Sequence, residues 1–308
     1  MNKLPGGLWP VMITPFKPNN NLDLDGVRKV TDMYLAAGAS GMFANCLSSE
    51  MFQLTREERL ELTKTVVDHC KGKVPVVATG SFYTHGNENA DFIKEIYDLG
   101  ADAVILISGI LAEPEENDEI LKRRIEEIME ETGNIPLGIY ECPVPYKRII
   151  SPDMMHWLSE TERFYYFKDT SCDAGAIKKK LDKISGNFQL YNADTPTAWE
   201  SLRDGAKGIS PISGNFYPEL YGHFLKLFEA GDDEALENLS TKLTVMDKVT
   251  DDFYPWSAKL FLEKRGLDIC TNTRIPMRKM TVKDKLILDA LLKMFHQISD
   301  EFGIDLVI

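Results

Sequence analysis

Four consecutive aromatic residues, Phe164-Tyr165-Tyr166-Phe167, run into Lys168, and Asp169-Thr170-Ser171 follow. Side chains alternate along a strand, so Phe164, Tyr166 and Lys168 share one face, while Tyr165, Phe167 and Asp169 share the other. If Lys168 faces inward, desolvation favours its neutral amine, which attacks ketones and forms a Schiff base. The competing reading is a lysine that snorkels to water at a strand end. An earlier run, Pro136-Leu137-Gly138-Ile139-Tyr140, ends in a phenol. Neighbouring strands lie about 5 Å apart, within reach of a lysine adduct. A third segment, Asn45-Cys46-Leu47-Ser48-Ser49-Glu50, places small polar residues between an apolar run and a helical pattern. Such a turn presents amides and hydroxyls to an anion, or serves only as an ordinary polar loop.

The elements that must position these residues follow from hydrophobic periodicity. Apolar runs at 8–14, 41–45, 74–78, 103–107, 136–140, 164–168, 188–191 and 208–212 predict eight strands. Most are apolar throughout, as suits strands buried on both faces of a parallel sheet. Amphipathic stretches at 23–37, 55–70, 87–99, 115–131, 152–158, 174–184, 196–203 and 218–228 predict the intervening helices. Thr55-Arg-Glu-Glu58 has capping-box spacing. Gly38-Ala39-Ser40-Gly41, Gly100-Ala101-Asp102-Ala103 and Gly205-Ala206-Lys207-Gly208 form a weak repeat, in which a glycine stops a helix before the next strand. Eight such units predict an α/β fold, a (β/α)8 TIM barrel, over residues 1–230. Residues 231–308, with helical patterns at 232–248, 254–265 and 281–302, read as a C-terminal helical extension. An open doubly wound sheet is the second choice, but Thr14-Pro15-Phe16-Lys17-Pro18 stands where a glycine-rich phosphate loop belongs.

Composition narrows the function. The chain has 308 residues and a net charge of −13, which gives no general attraction to nucleic acid or anionic membranes. Lys178-Lys179-Lys180, the only triple-lysine run, reads as a solvated helix face. No uncharged apolar stretch reaches membrane-spanning length, and the first 16 residues lack the pattern of a signal peptide. Five scattered cysteines without a CxxC pair point to a reducing, cytoplasmic setting rather than a zinc site or disulfide scaffold. GxGxxG, Walker A and HExxH motifs are absent, and no cofactor is expected.

Taken together, these segments resemble the dihydrodipicolinate synthase/N-acetylneuraminate lyase family of class I aldolases. The resemblance rests on Gly7-Leu8-Trp9-Pro10-Val11-Met12-Ile13-Thr14-Pro15-Phe16, Ser48-Ser49-Glu50, Thr79-Gly80-Ser81, Tyr140-Glu141-Cys142-Pro143 and Phe167-Lys168-Asp169-Thr170-Ser171, in that order along the chain. It implies that Lys168 forms the Schiff base with a 2-oxo acid such as pyruvate and that Tyr140 shuttles the proton. It further implies that Ser48 and Ser49 hold the substrate carboxylate. Ser210, within the eighth run, joins them as a substrate-binding candidate. Metal independence and a homotetramer are implied by the same resemblance.

The departures matter for the reaction. The synthase pattern has a hydroxyl residue where Leu47 stands, and paired tyrosines where Ser108-Gly109-Ile110-Leu111-Ala112-Glu113-Pro114 stands. It also has an arginine where Pro145 falls, although Lys147 and Arg148 lie close by. The sialic acid lyase pattern fits at Leu190-Tyr191-Asn192, but its acidic pair becomes Thr195-Pro196. The expected function is therefore a pyruvate-releasing lyase on a 2-keto-3-deoxy sugar acid or a related 4-hydroxy-2-oxo acid, with an aldehyde as second product. Leu47, Ile110 and Leu111 suggest a less polar aldehyde pocket than the synthase's. The alternatives are a synthase-like condensation of pyruvate with an aldehyde, and a hydratase or dehydratase using the same lysine. A non-catalytic binder is disfavoured by retention of both Lys168 and Tyr140.

Overall fold

A computed structural model describes residues 3–308. Strand and helix alternate: β1 (Gly7–Leu8), α1 (Leu24–Ala36), β2 (Met42–Ala44), α2 (Arg56–Cys70), β3 (Val76–Thr79), α3 (Gly86–Asp98), β4 (Ala103–Ile107), α4 (Ser108–Leu111), α5 (Asp118–Thr132), β5 (Leu137–Tyr140), α6 (Pro152–Glu160), β6 (Phe164–Asp169), α7 (Ala174–Leu181), β7 (Gln189–Asn192), α8 (Ala198–Arg203), β8 (Gly208–Ile209) and α9 (Pro218–Ala230). Three more helices follow, α10 (Asp233–Asp247), α11 (Trp256–Arg265) and α12 (Val282–Phe302). This is the element order of a (β/α)8 barrel with a C-terminal helical extension. Among the described residues, no helix is long and apolar enough to cross a membrane.

All eight expected strands form, and the first and last are much shorter than their apolar runs. Pro10 and Pro211 lack the N–H that a ladder needs, so β1 stops at Leu8 and β8 at Ile209. The short helix α4 was not expected; it turns the chain directly after β4.

The chain packs as two compact units, residues 3–6 with 70–210, and residues 7–69 with 211–308. The first carries a parallel ladder from β3 to β8. Every residue of β3, β4, β5 and β7 is buried, which suits the mostly apolar β3, β4 and β5; β7 buries Gln189 and Asn192 as well. Asn117, Ser151 and Asp173 cap α5, α6 and α7 through side-chain oxygens that accept backbone N–H bonds. Gly100 (φ 101°) and Gly205 (φ 111°) sit just beyond α3 and α8 in the left-handed region, as their repeat positions predict.

The lysine run departs from expectation. Lys178 lies on the surface and pairs with Asp204, but Lys180 is 1% exposed and shares the inner face of α7 with Ile177. Three residues along a helix nearly complete a turn, so Lys180 points where Ile177 points. Two buried acids, described below, receive its ammonium.

In the second unit, the Ser40 N–H donates to the Leu8 carbonyl (2.8 Å), the Phe43 N–H to the Pro10 carbonyl (3.0 Å) and the Met12 N–H to the Phe43 carbonyl (3.1 Å). The predicted capping box forms: Thr55 N–H donates to Glu58 Oε2 (3.0 Å), and Glu58 N–H donates to Thr55 Oγ1 (3.2 Å). Phe216, Tyr217, Phe261 and Phe295 build an aromatic core among α9, α11 and α12.

Candidate active site

β5 and β6 pair in a register that sets Tyr140 opposite Lys168. Both side chains are 3% exposed, and Lys168 Nζ lies 4.6 Å from the centre of the Tyr140 ring. An ammonium in that position meets the electron-rich face of the ring. On the same face of β6, Tyr166 stacks on Tyr191 at 4.4 Å and donates its hydroxyl to Ser210 Oγ at 3.4 Å. Ser210 is fully buried, and its N–H donates to the Asn192 carbonyl (2.7 Å). The first unit therefore holds three of the five expected site residues: Tyr140 at the end of β5, Lys168 near the end of β6 and Ser210 just after β8.

The opposite face of the same strand ends holds a group that inspection of the sequence did not single out. Lys180 Nζ lies 2.5 Å from Glu141 Oε1 and 2.6 Å from Asp169 Oδ2, and none of the three side chains is more than 1% exposed. Burial, followed by the neighbouring Asp169 charge, pushes the Glu141 carboxyl up to about 7. The signal available in the sequence was adjacency: Glu141 follows Tyr140, and Asp169 follows Lys168.

The residues flanking this region have defined tasks. Arg148 donates to the Glu116 carbonyl (2.9 Å) and to Asp118 Oδ1 (2.9 Å), so it braces the loop before α5. Lys147 Nζ instead donates to the Thr170 carbonyl (2.7 Å), two residues beyond Lys168. Asn192 donates to Thr197 and Ser201 and accepts from the Asp194 N–H, while Asp194 Oδ2 accepts from Thr197. These side chains build the loop after β7. Ile110 is half-buried, whereas Leu111 is fully buried and belongs to the core.

The loop after β2 belongs to the second unit. Ser49 is fully buried; its Oγ donates to the Met12 carbonyl (2.6 Å) and accepts from Cys46 N–H (3.1 Å). Its N–H donates to the Cys46 carbonyl (3.0 Å). A hydroxyl has one proton to give, so Ser49 shapes this turn and has no donor left for a carboxylate. Ser48 is 4% exposed and hydrogen-bonds the Tyr254 phenol. Glu50, left-handed at φ 58°, fixes the end of the turn. Its carboxylate accepts from Lys259 Nζ (2.8 Å) and from the backbone N–H groups of Arg274 (2.6 Å) and Ile275 (2.9 Å). Burial is the largest influence on Lys259 and holds its pKa below the ordinary lysine value.

A barrel-type fold with a buried lysine beside a tyrosine at adjacent strand ends has the parts that class I, Schiff-base chemistry needs. Residues 4–295 match the model of the dihydrodipicolinate synthetase family, and the chain belongs to that family. It is similar to the 4-hydroxy-tetrahydrodipicolinate synthase of Methanospirillum hungatei (30% identity; 77% of this chain and 80% of that one). It is also similar to the enzyme of the same name from Stutzerimonas stutzeri (27% identity; 85% of each chain). Among solved structures, a dihydrodipicolinate synthase of Bacillus anthracis superposes with a TM-score of 0.86 at 24% identity, covering 95% of this chain and 99% of that one. That likeness establishes the fold. Another structure of the same fold, described as a monomeric dihydrodipicolinate synthase variant, has a TM-score of 0.86 at 19% identity over 95% of this chain and 97% of that one.

Proposed function

We propose that this chain cleaves a 4-hydroxy-2-oxo acid, such as a 2-keto-3-deoxy sugar acid, to pyruvate and an aldehyde. The observation that carries the reading is the Tyr140–Lys168 pair, buried together at 4.6 Å on neighbouring strands. Lys168 Nζ attacks the C2 ketone, and the carbinolamine loses water to leave an iminium. Tyr140 takes the proton from the C4 hydroxyl as the C3–C4 bond breaks, and the iminium receives that electron pair as an enamine. The aldehyde leaves, C3 is protonated, and water releases pyruvate and the free amine. Ser48 is the proposed carboxylate ligand, on its place in the family's loop. Ser210 supports the lysine side through its bond with Tyr166, and Ser49 shapes the turn that carries Ser48.

Recognition of the aldehyde half favours hydroxyls or an apolar chain over a second carboxylate. Pro145 stands at the synthase's arginine position, and Arg148 is committed to Glu116 and Asp118. Lys147 is the remaining cation of that segment. A panel of 4-hydroxy-2-oxo acids, followed by pyruvate release and aldehyde identification, tests the proposal. Cleavage of neutral-tailed acids supports it; turnover confined to pyruvate plus a carboxylate-bearing aldehyde favours the second reading. That reading, a synthase-type condensation, draws on the names of the relatives. Assembly into a homotetramer is proposed on family resemblance.

A further inference from the structure

We propose that Lys180, Glu141 and Asp169 form a buried charged triad that positions the Tyr140–Lys168 pair and sets the charge felt by the reacting amine. The proposal rests on the reading of Lys168 as the imine-forming residue. Side chains alternate along β5 and β6, so the acids that follow Tyr140 and Lys168 lie on the opposite side of the sheet, toward α7. There they stitch the two strand ends together. Glu141 Oε2 accepts from Thr170 N–H (2.9 Å), Glu141 Oε1 accepts from Ile150 N–H (2.8 Å), and Thr170 Oγ1 donates to the Glu141 carbonyl (2.6 Å). Asp169 Oδ1 accepts from the N–H (2.8 Å) and hydroxyl (2.6 Å) of Ser171. The Glu141 N–H donates to the carbonyl of Lys168 itself (3.3 Å).

Positioning alone needs no charge. Three buried ions are an expensive way to join two strands, since apolar packing of the same volume is often as stable or more so. Two carboxylates facing one ammonium leave the triad at −1 when all three are ionised, and neutral when Glu141 holds a proton. The other groups that face it are the Phe167 ring, 5.2 Å from Lys180 Nζ, and the Cys172 thiol beside Asp169. Lys147 approaches from the far side through the Thr170 carbonyl. A net negative charge one residue behind Lys168 favours its cationic forms, the ammonium and the iminium, over the neutral amine. With the Glu141 carboxyl pushed up to about 7, that charge changes near neutral pH. The triad thus acts on Lys168 through the field and does not touch the substrate.

The test follows imine formation with pyruvate, by borohydride trapping on the intact protein, as a function of pH. Asp169→Asn removes one negative charge, and Glu141→Gln removes one above about pH 7, where Glu141 is ionised. Each is expected to move the half-maximal pH of imine formation downward by about one unit and, at pH values where the free amine is neutral, to lower the amount of imine at equilibrium about tenfold. Glu141→Asp keeps the charge and is expected to restore the wild-type half-maximal pH, even with a slower rate. Leu121→Ala, a core change on α5, is expected to lower the Tm and leave the profile in place. If one charge-removing variant fails to fold, the other gives the reading. A wild-type imine with an unchanged profile in the folded charge-removing variants overturns this inference alone. No imine in the wild type overturns the assignment of Lys168, and the inference with it.

Discussion

Tyr140 and Lys168 face each other across the β5–β6 ladder, with the amine 4.6 Å from the centre of the ring. A single-residue slip in that register would turn one of them to the other side of the sheet. The stitched turns at Glu141 and Thr170, immediately after the pair, oppose such a slip. The geometry makes two substitutions separable. Tyr140→Phe keeps the ring against the amine and removes only the hydroxyl. It is expected to retain trapping by pyruvate while kcat for cleavage falls about 10²–10⁴-fold, measured by pyruvate release. Lys168→Met is expected to abolish both, with cleavage down by about 10³-fold or more.

The two serines of the loop after β2 should behave differently. Ser49→Ala removes bonds to Met12 and Cys46 inside a buried turn, and is expected to cost about 1–2 kcal/mol in chemical denaturation. Ser48→Ala is expected to raise KM for the 2-oxo acid about tenfold with a smaller loss of stability, as befits a carboxylate ligand.

The buried Lys259–Glu50 pair, with both side chains 0% exposed, holds that loop from below. Lys259→Met strands a buried carboxylate and is expected to cost about 3–5 kcal/mol. Lys259→Met combined with Glu50→Gln is expected to recover part of that loss, because no charge is then left unpaired. Denaturant titration of the three proteins measures the difference.

Glu141 gives a pH dependence of stability with a definite sign. Its ordinary value is 4.5, and burial raises it to about 7 in the folded protein. Between those values the folded state holds a proton that the unfolded state has lost. Folding is therefore helped below about pH 4.5, and this contribution is lost as pH rises to about 7. Relative to Glu141→Gln, the wild type is expected to lose on the order of 2–3 kcal/mol across that window and to change little above it. Paired denaturation curves at pH 4.5, 6 and 8 check this.

Much of this was legible in the sequence because periodicity and alternation act locally. The run from Phe164 to Lys168 announces a strand buried on both faces, and alternation alone puts Lys168 and Asp169 on opposite sides. The glycines at 38, 100 and 205 mark helix ends for a reason confined to a single residue, and all three have positive φ. Lys180 was not legible. Its partners lie 39 and 11 residues away, and nothing in a triple-lysine run shows that two acids wait beneath one member of it. Ser49 was half legible: small polar residues in this turn read as anion ligands or as an ordinary polar loop, and the carbonyl that takes the Ser49 proton comes from Met12, 37 residues earlier. Proline explains the shortened ends of the sheet, and Pro10 and Pro211 were visible from the start.

The central claim is that Lys168 is the amine that captures the 2-oxo acid, and trapping tests it most directly. Wild-type protein and Lys168→Met are each incubated with pyruvate and borohydride, digested, and mapped by peptide mass spectrometry. The account predicts one reduced pyruvate adduct, on the peptide containing Lys168, and none at that mass in the variant. An adduct on Lys147 or another lysine, or folded wild-type protein that takes up none from pyruvate or from longer 2-oxo acids, would contradict it.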